Sequence, residues 1–426
     1  MKSKLTFVLT AIIVLTCISS LRAQNRISSP YSRFGIGEMF QNTHVNNMAM
    51  GGLSQAVYTP YFVNTVNPAS YTAFDTLSFV FDVSLHARFT NLITDSISQS
   101  ADYSSLGNLL FGFPINGWWK ASFGLQPYST TGYKVTDTQN DSVFGIFDNI
   151  YDGNGGISQF HFGSSFDVTK NLSIGANISY LFGTMNHQAA TEFADSLYRL
   201  NIKTVNATRA HDFLVNYGLM YHRQKANGLQ YNIGLTFTNQ TDLRTSDDRL
   251  TYSYSTGSSG TEYPRDTIIS ESGAKGSITL PMSVGGGFSI GKDSKWMIGT
   301  DVTWKQWSKF SYSSAPDSLQ DNIQIAVGGF FNPSLSTVSN YWQRVTYRGG
   351  FRYSDGFLEL KNQRISEFGI TFGVGLPLPR TLSTINLAVE VGARGTKKVG
   401  LISENFVKFT LGLSIFERWF IIKKYE

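Results

Sequence analysis

Six histidines, His44, His86, His161, His187, His211 and His222, are the first residues to weigh for chemistry in this chain. His86, His161 and His222 alternate with apolar neighbours, so in a strand they share a face with Ser, Asp and Gly. A Ser–His hydrolase needs a serine beside one histidine and an Asn or Asp to orient the ring, and no spacing singles out such a set. No His/Asp grouping suggests zinc, and no carboxylate cluster suggests calcium. The chain reads as a non-enzyme without metal or other cofactor, with His86 and His161 as polar lining.

Charges of both signs, among them Asp82, Arg88, Asp301 and Glu390, recur at the same alternating positions. Arg344, Arg348 and Arg352 fall on one face of one expected strand. They form a ladder that would pair with internal acids, or grip a ligand carboxylate bidentately. Pro127 sits late in the strand Trp118–Val135 and has no N–H to give a neighbour. With Gly132 nearby, that strand is expected to bend inward and leave a gap in the wall, a candidate lateral gate.

The elements that would position these groups are long alternating strands. In Thr76–Thr90 the residues Leu77, Phe79, Phe81, Val83, Leu85, Ala87 and Phe89 fall on one face, with Val80 the exception on the other. Ordinary soluble strands run to about five or six residues. The pattern returns along the chain to Val407–Ile415, giving about fourteen strands, an even number as bacterial outer-membrane barrels require. Links alternate between short turns such as Ile115–Gly117 and long polar stretches such as Thr136–Gly156 and Asn239–Gly276. Short turns facing the periplasm would put both termini on that side.

Composition agrees. Of 426 residues only 15% are charged, against the usual quarter, while 14% are aromatic and 40 are glycine. Mean hydropathy is −0.12, which excludes a bundle of apolar helices. Met1–Ala23, with Lys2 and Lys4 before the apolar run Leu5–Ile18, reads as a secretory signal peptide. Its removal lowers the formal charge from +5 to +2, so nucleic acid is not an expected partner. Cys17, the only cysteine, lies within this leader, which excludes thiolate and disulfide chemistry from the mature chain. Gln24–Asp75 lacks the alternation and is expected to fold as a hatch inside the barrel formed by Thr76–Glu426.

Within that segment, Ala49-Met50-Gly51-Gly52 and Asn67-Pro68-Ala69 resemble the N-terminal hatch of long-chain fatty-acid transporter (FadL-type) outer-membrane proteins. Phe123-Gly124-Leu125-Gln126-Pro127-Tyr128 and Trp304-Lys305-Gln306-Trp307 are similar to that family's barrel. The opening Ser28–Gly37 looks like Bacteroidetes members. The resemblance implies a fourteen-stranded barrel set in outer-membrane lipid, with Gly51, Gly52, Asn67, Pro68 and Ala69 in the hatch. It also implies uptake of a hydrophobic small-molecule ligand, released sideways through the wall. Some Bacteroidetes members instead plug or partner the type 9 secretion translocon, so a translocon subunit is the alternative partner. Uptake predicts an apolar pocket between the long loops and Met48–Phe74. The alternative predicts no continuous apolar cavity.

Overall fold

In the computed structural model, residues 29–418 are described, apart from 42, 195–198, 258, 293–294, 314–316, 318, 337 and 380. The leader Met1–Ala23 and Trp419 lie outside the described residues.

Fourteen antiparallel strands form the wall. They are β1 (Ser78–Ile93), β2 (Ser98–Pro114), β3 (Trp119–Asp141), β4 (Gly145–Thr169), β5 (Leu172–Phe193), β6 (Asn201–Gln224) and β7 (Leu229–Thr238). Then follow β8 (Ser283–Lys292), β9 (Trp296–Lys305), β10 (Asn322–Phe331), β11 (Thr346–Ser354), β12 (Glu367–Pro377), β13 (Thr384–Gly395) and β14 (Ser403–Arg418). Sequential neighbours pair throughout, and β1 pairs with β14 from Ser78↔Arg418 to Ile93↔Ser403, closing the cylinder. Closure leaves the barrel without a free edge at that seam, which is what a strand structure needs in lipid.

Side chains obey the pleat. Phe89, Phe162, Ile178, Leu235, Ile370 and Phe409 stand exposed on the outer face, an apolar band suited to hydrocarbon. His86, Lys120, His161, Asp301 and Arg352 are buried on the inner face. Val80 faces inward too, packed with Val63, Tyr71, Phe74, Leu110 and Phe416. The break in alternation on β1 thus marks where the wall meets an apolar patch of the hatch.

One end of the barrel carries mostly short turns; the other carries the long connections. These long stretches are largely strand rather than loop. β3 and β4 run paired to Asp141↔Gly145, and β5 and β6 to Thr191↔Ile202. Thr241–Thr256 and Glu262–Leu280 form an added hairpin whose first strand pairs with the upper part of β6. A strand standing in water on both faces has no need to alternate, so its polar sequence looks like loop. The outer strand of that hairpin pairs Ser311 and Tyr312 at its end, and the rest carries Pro264, register shifts and charges such as Arg265 and Glu271, features that discourage edge-to-edge association.

Candidate functional site: the hatch and the wall that holds it

Of the segment Gln24–Asp75, expected to fold as a hatch, residues 29–75 are described, apart from 42, and they contact inward-facing residues of the wall. Ser29 sits toward the long-connection end, donating through Oγ to Glu404 of β14 and through its backbone N to Gly132 O at 3.1 Å. The chain then descends to Asp75 and enters β1. Three short helical turns shape it: Pro30–Arg33, Val45–Met48 and Pro68–Ala73. Each is capped by a side chain, from Ser29, His44 and Asn67 respectively, which satisfies N–H groups that no helix partner could reach.

Two wall carboxylates hold the middle of the hatch. Asp301 Oδ2 accepts from the backbone N of Ser54 at 2.5 Å and of Gln55 at 2.7 Å. Asp82 Oδ2 accepts from Val63 N at 2.7 Å, and its Oδ1 lies 3.1 Å from His44 Nε2. Amides extend the grip: Asn177 donates to Thr65 O and Asn216 to Val66 O, both at 2.9 Å. Thr371 Oγ1 accepts from Gly51 N at 2.8 Å and donates to Ala49 O at 3.1 Å.

The hatch motifs expected from sequence fall at these contacts. Asn67 is fully buried; its Nδ2 donates to Gln55 O at 2.7 Å and Leu219 O at 3.2 Å, while Oδ1 accepts from Ala69 N. It ties two hatch segments to β6 at once, and Pro68 starts the turn at a position where no N–H is required. Gly51 and Gly52 adopt φ of +74° and +87°, the left-handed region that side-chain residues avoid. The wall is thinned to receive this backbone: a Cβ on Gly234 would lie 1.7 Å from Gln55 O, and one on Gly350 2.2 Å from Met50 C.

His44, Asp82 and Ser414 bring together the residue types of a hydrolytic triad. Their geometry is not that of one. Nδ1 of His44 accepts from Asn46 N at 3.1 Å, so the ring proton is on Nε2, which faces both Asp82 and Ser414 Oγ, each at 3.1 Å. A base must take the serine proton on a free nitrogen while the acid holds the other; here neither condition is met. The trio is a clasp between hatch and wall.

A chain of charges crosses the upper lumen. Arg88 pairs with Glu38 of the hatch and lies 3.7 Å from Glu404; Arg394 lies 3.6 Å from Glu38 and 3.8 Å from Glu367; Arg352 pairs with Glu367 and Glu390. Glu38 is its one hatch member among these and links β1 to β13. Tyr31 adds a neutral anchor, donating to Ile402 O at 2.5 Å; burial pushes its hydroxyl up to about 12, so it keeps the proton it donates.

The expected arginine ladder needs correction. Arg352 and Arg348 belong to β11 and face inward, but Arg344 falls in the helical turn Tyr341–Arg344, before the strand begins at Thr346. Spacing by four suits one face of a helical turn as well as one face of a strand, so the sequence alone did not separate them. His86 lies inside, its Nδ1 3.0 Å from Thr410 Oγ1, and His161 Nε2 is 3.2 Å from Ser122 Oγ.

Pro127 and Gly132 lie where the wall changes partners. The β2–β3 ladder runs only from Pro114↔Lys120 to Leu109↔Leu125. Beyond it, Ser98–Asn108 of β2 remains paired with β1, while β3 shifts register against β4 between Pro127 and Ser129. The hatch strand Glu38–Met39 takes the vacated edge, pairing Thr130 and Ser129 of β3, and Phe40 N donates to Tyr128 O at 3.0 Å. Gly132 is held by the hatch as well: its N donates to Ser32 Oγ at 3.0 Å and its O accepts from Ser29 N at 3.1 Å. The β2–β3 pairing is therefore interrupted here, and the hatch strand occupies the edge of β3 that β2 leaves.

The space left in the lumen is a cavity of about 330 Å³ lined by polar and charged groups such as Gln41, Arg88, Gln126, His161, Lys305 and Lys408, with Phe40, Tyr128 and Trp307 among them. Above it, Tyr31 and Ile36 of the hatch pack with Leu181 and Met185 of β5 and with Leu280, Trp307 and Phe310 of the long connections into an apolar cluster. The apolar region beneath the long connections thus exists as packed core, and the open space below it is lined by polar and apolar groups together. Among the described residues no three His, Cys, Asp or Glu side chains form a metal-binding group.

Comparison with known proteins bears on this fold. A family model described as BamG matches residues 3–426. The Ralstonia pickettii toluene transporter TbuX superposes with a TM-score of 0.58 at 16% identity, over 90% of this chain and 99% of that one. The Pseudomonas putida toluene transporter TodX gives 0.57 at 16%, over 91% and 100%, and a Pseudomonas aeruginosa FadL homologue 0.57 at 12%, over 90% and 100%. At such identities the likeness is one of fold. No curated protein sequence matches.

Proposed function

Since this chain belongs to the BamG family and has the fold of FadL-type outer-membrane barrels, we propose that it works as a sealed, non-conducting barrel in the outer membrane. In this reading it acts by association with another integral outer-membrane protein, a secretion-translocon channel being the class suggested by the sequence resemblance. The observation that carries it is the pinning of the hatch: Asp82 and Asp301 each spend buried carboxylate oxygens on hatch groups, and Glu38 closes a charge network. Hydrogen bonds to a charged acceptor contribute about 1.5–3 kcal/mol each, so several must break together before the lumen opens. The short turns would face the periplasm.

The test is purification from native membranes in mild detergent, with bound proteins and lipids identified by mass spectrometry. A stoichiometric outer-membrane protein, together with no toluene permeation through liposomes carrying the purified chain, supports the reading. A solitary barrel that holds a lipophile and passes it overturns it.

A second reading is uptake of hydrophobic molecules with sideways release, and a specific observation favours it: the β2–β3 ladder ends at Leu109↔Leu125 beside Pro127. A solute would enter through the apolar cluster under the long connections, displace Glu38–Phe40 and leave between β2 and β3. Lost uptake in Pro127→Ala supports this route; unchanged uptake in a chain that does transport refutes it.

A further inference from the structure

The connection between β10 and β11 departs from every other link at the short-turn end. It spans residues 332–345, whereas β4 and β5 there are joined by Lys170 and Asn171 alone. It has no acidic residue and one basic one, Arg344. Two of its apolar side chains stand free, Val338 at 93% exposure and Trp342 at 69%, while Val345 is buried where β11 begins. This is not a loose loop. Ser334 N donates to Gln343 O at 2.8 Å, Ser334 and Ser339 hydroxyls lie 2.7 Å apart, and Asn332 N donates to Lys295 O at 2.6 Å. An ordered segment that presents apolar groups to water needs a reason.

Its attachment says what it faces. Tyr347 is an outward residue of β11, on the lipid side of the wall, and its hydroxyl donates to Trp342 O at 3.0 Å. Phe331 ends β10 on the same outer side and is 54% exposed. The helical turn Tyr341–Arg344 is thus tied beside the apolar band, with Trp342 edge-on to Tyr341 (5.8 Å, 80°). Arg344 stacks over Tyr341 at 5.6 Å and its buried Nε has no hydrogen-bond partner. Amphipathic rings beside a lone cation match the interfacial layer of a bilayer, where Trp and Tyr settle and arginine meets phosphate.

We infer that residues 332–345 form an interfacial anchor, with Trp342 and Val338 inserted among the glycerophospholipids of the leaflet at the short-turn end and Arg344 toward their phosphates. The inference rests on the barrel spanning a bilayer and not on any protein partner, so liposomes of this chain and lipid alone test it separately from the docking proposal.

The full chain is reconstituted in phosphatidylethanolamine and phosphatidylglycerol, with or without bromine on the upper acyl carbons. The emission of Trp342 is obtained as the difference between wild type and Trp342→Phe, with resistance of the folded barrel to dissociation on unheated gels as the folding control. Bromolipid should quench that difference emission about twofold or more. Val338→Asp, at a side chain that touches almost nothing, should shift it to the red and restore its access to acrylamide. Emission that bromolipid leaves unquenched and acrylamide quenches freely overturns the inference. A photo-reactive residue at position 342 in native membranes should yield lipid adducts; a stoichiometric protein adduct overturns it in favour of a docking site.

Discussion

Replacing Asp301 by Asn tests the pinning of the hatch with the least change in shape. The carboxylate oxygen Oδ2 accepts from Ser54 N and Gln55 N, and the amide oxygen of Asn can occupy the same place. What changes is charge: two bonds to an ion, about 2 kcal/mol each, become two neutral bonds of about 1 kcal/mol. The loss of about 2 kcal/mol corresponds to a roughly thirtyfold rise in the population of the opened hatch. Hydrogen exchange followed by mass spectrometry, on protein in lipid nanodiscs, reads this directly. Peptides covering Met50–Val57 should exchange about thirtyfold faster in Asp301→Asn, while peptides from β1 and β14, which form the seam, should not change. Exchange at Ser54 and Gln55 within about twofold of wild type would refute the assignment of Asp301 as a clamp. An equal acceleration in β1 would show that the substitution weakened the whole barrel instead.

Glu38→Ala removes the hatch acid shared by Arg88 and Arg394; both keep only longer pairs, to Glu404 and Glu367, so the cost falls below about 3–5 kcal/mol, that of a buried charge left alone, and residues 29–41 should lose exchange protection while residues 67–74 keep theirs. Gly234→Val places a Cβ on the Gln55 carbonyl and should leave a folded barrel with a displaced hatch, seen as ion conductance in planar bilayers where wild type is closed. His44→Ala removes the cap of Val45–Met48 and the contact to Asp82; the cap alone is worth about 1 kcal/mol, and exchange of Asn46 should rise about fivefold or more. Ser414→Ala should leave any esterase background of the preparation unchanged, because His44 Nε2 carries the proton that a base would have to lack.

The wall was legible because lipid on one side and packing or water on the other impose period two, and each of the fourteen alternating segments proved to be a wall strand. The upper ends of the strands were not legible. Gln139, Asn140 and Asp141 are exposed on β3, and solvent on both faces removes the pattern that would mark them. Gly51, Gly52 and Asn67 could be placed in the hatch, yet the wall groups that hold the hatch could not, because Asp82 and Asp301 grip the backbone N–H groups of Val63, Ser54 and Gln55, which have no side-chain signature. Val80 was the available clue, a break in alternation where the hatch touches β1. Arg344 was misplaced because the strand pattern resumes only two residues later, at Thr346.

The hatch contacts strands on every side of the lumen: Asp82 on β1, Gly132 on β3, Asn177 on β5, Asn216 on β6, Gly234 on β7, Asp301 on β9, Thr371 on β12 and Glu404 on β14. It also precedes all of them in the chain. Ser29 meets Glu404 across 375 positions of sequence, so the first hatch residues find this partner only once the last strand is present. Its contacts to β1 and to β14 place the segment against both strands of the seam that closes the cylinder. It is the axle around which the cylinder sits, and the wall acids Asp82, Asp301 and Glu404 fasten the strands to it.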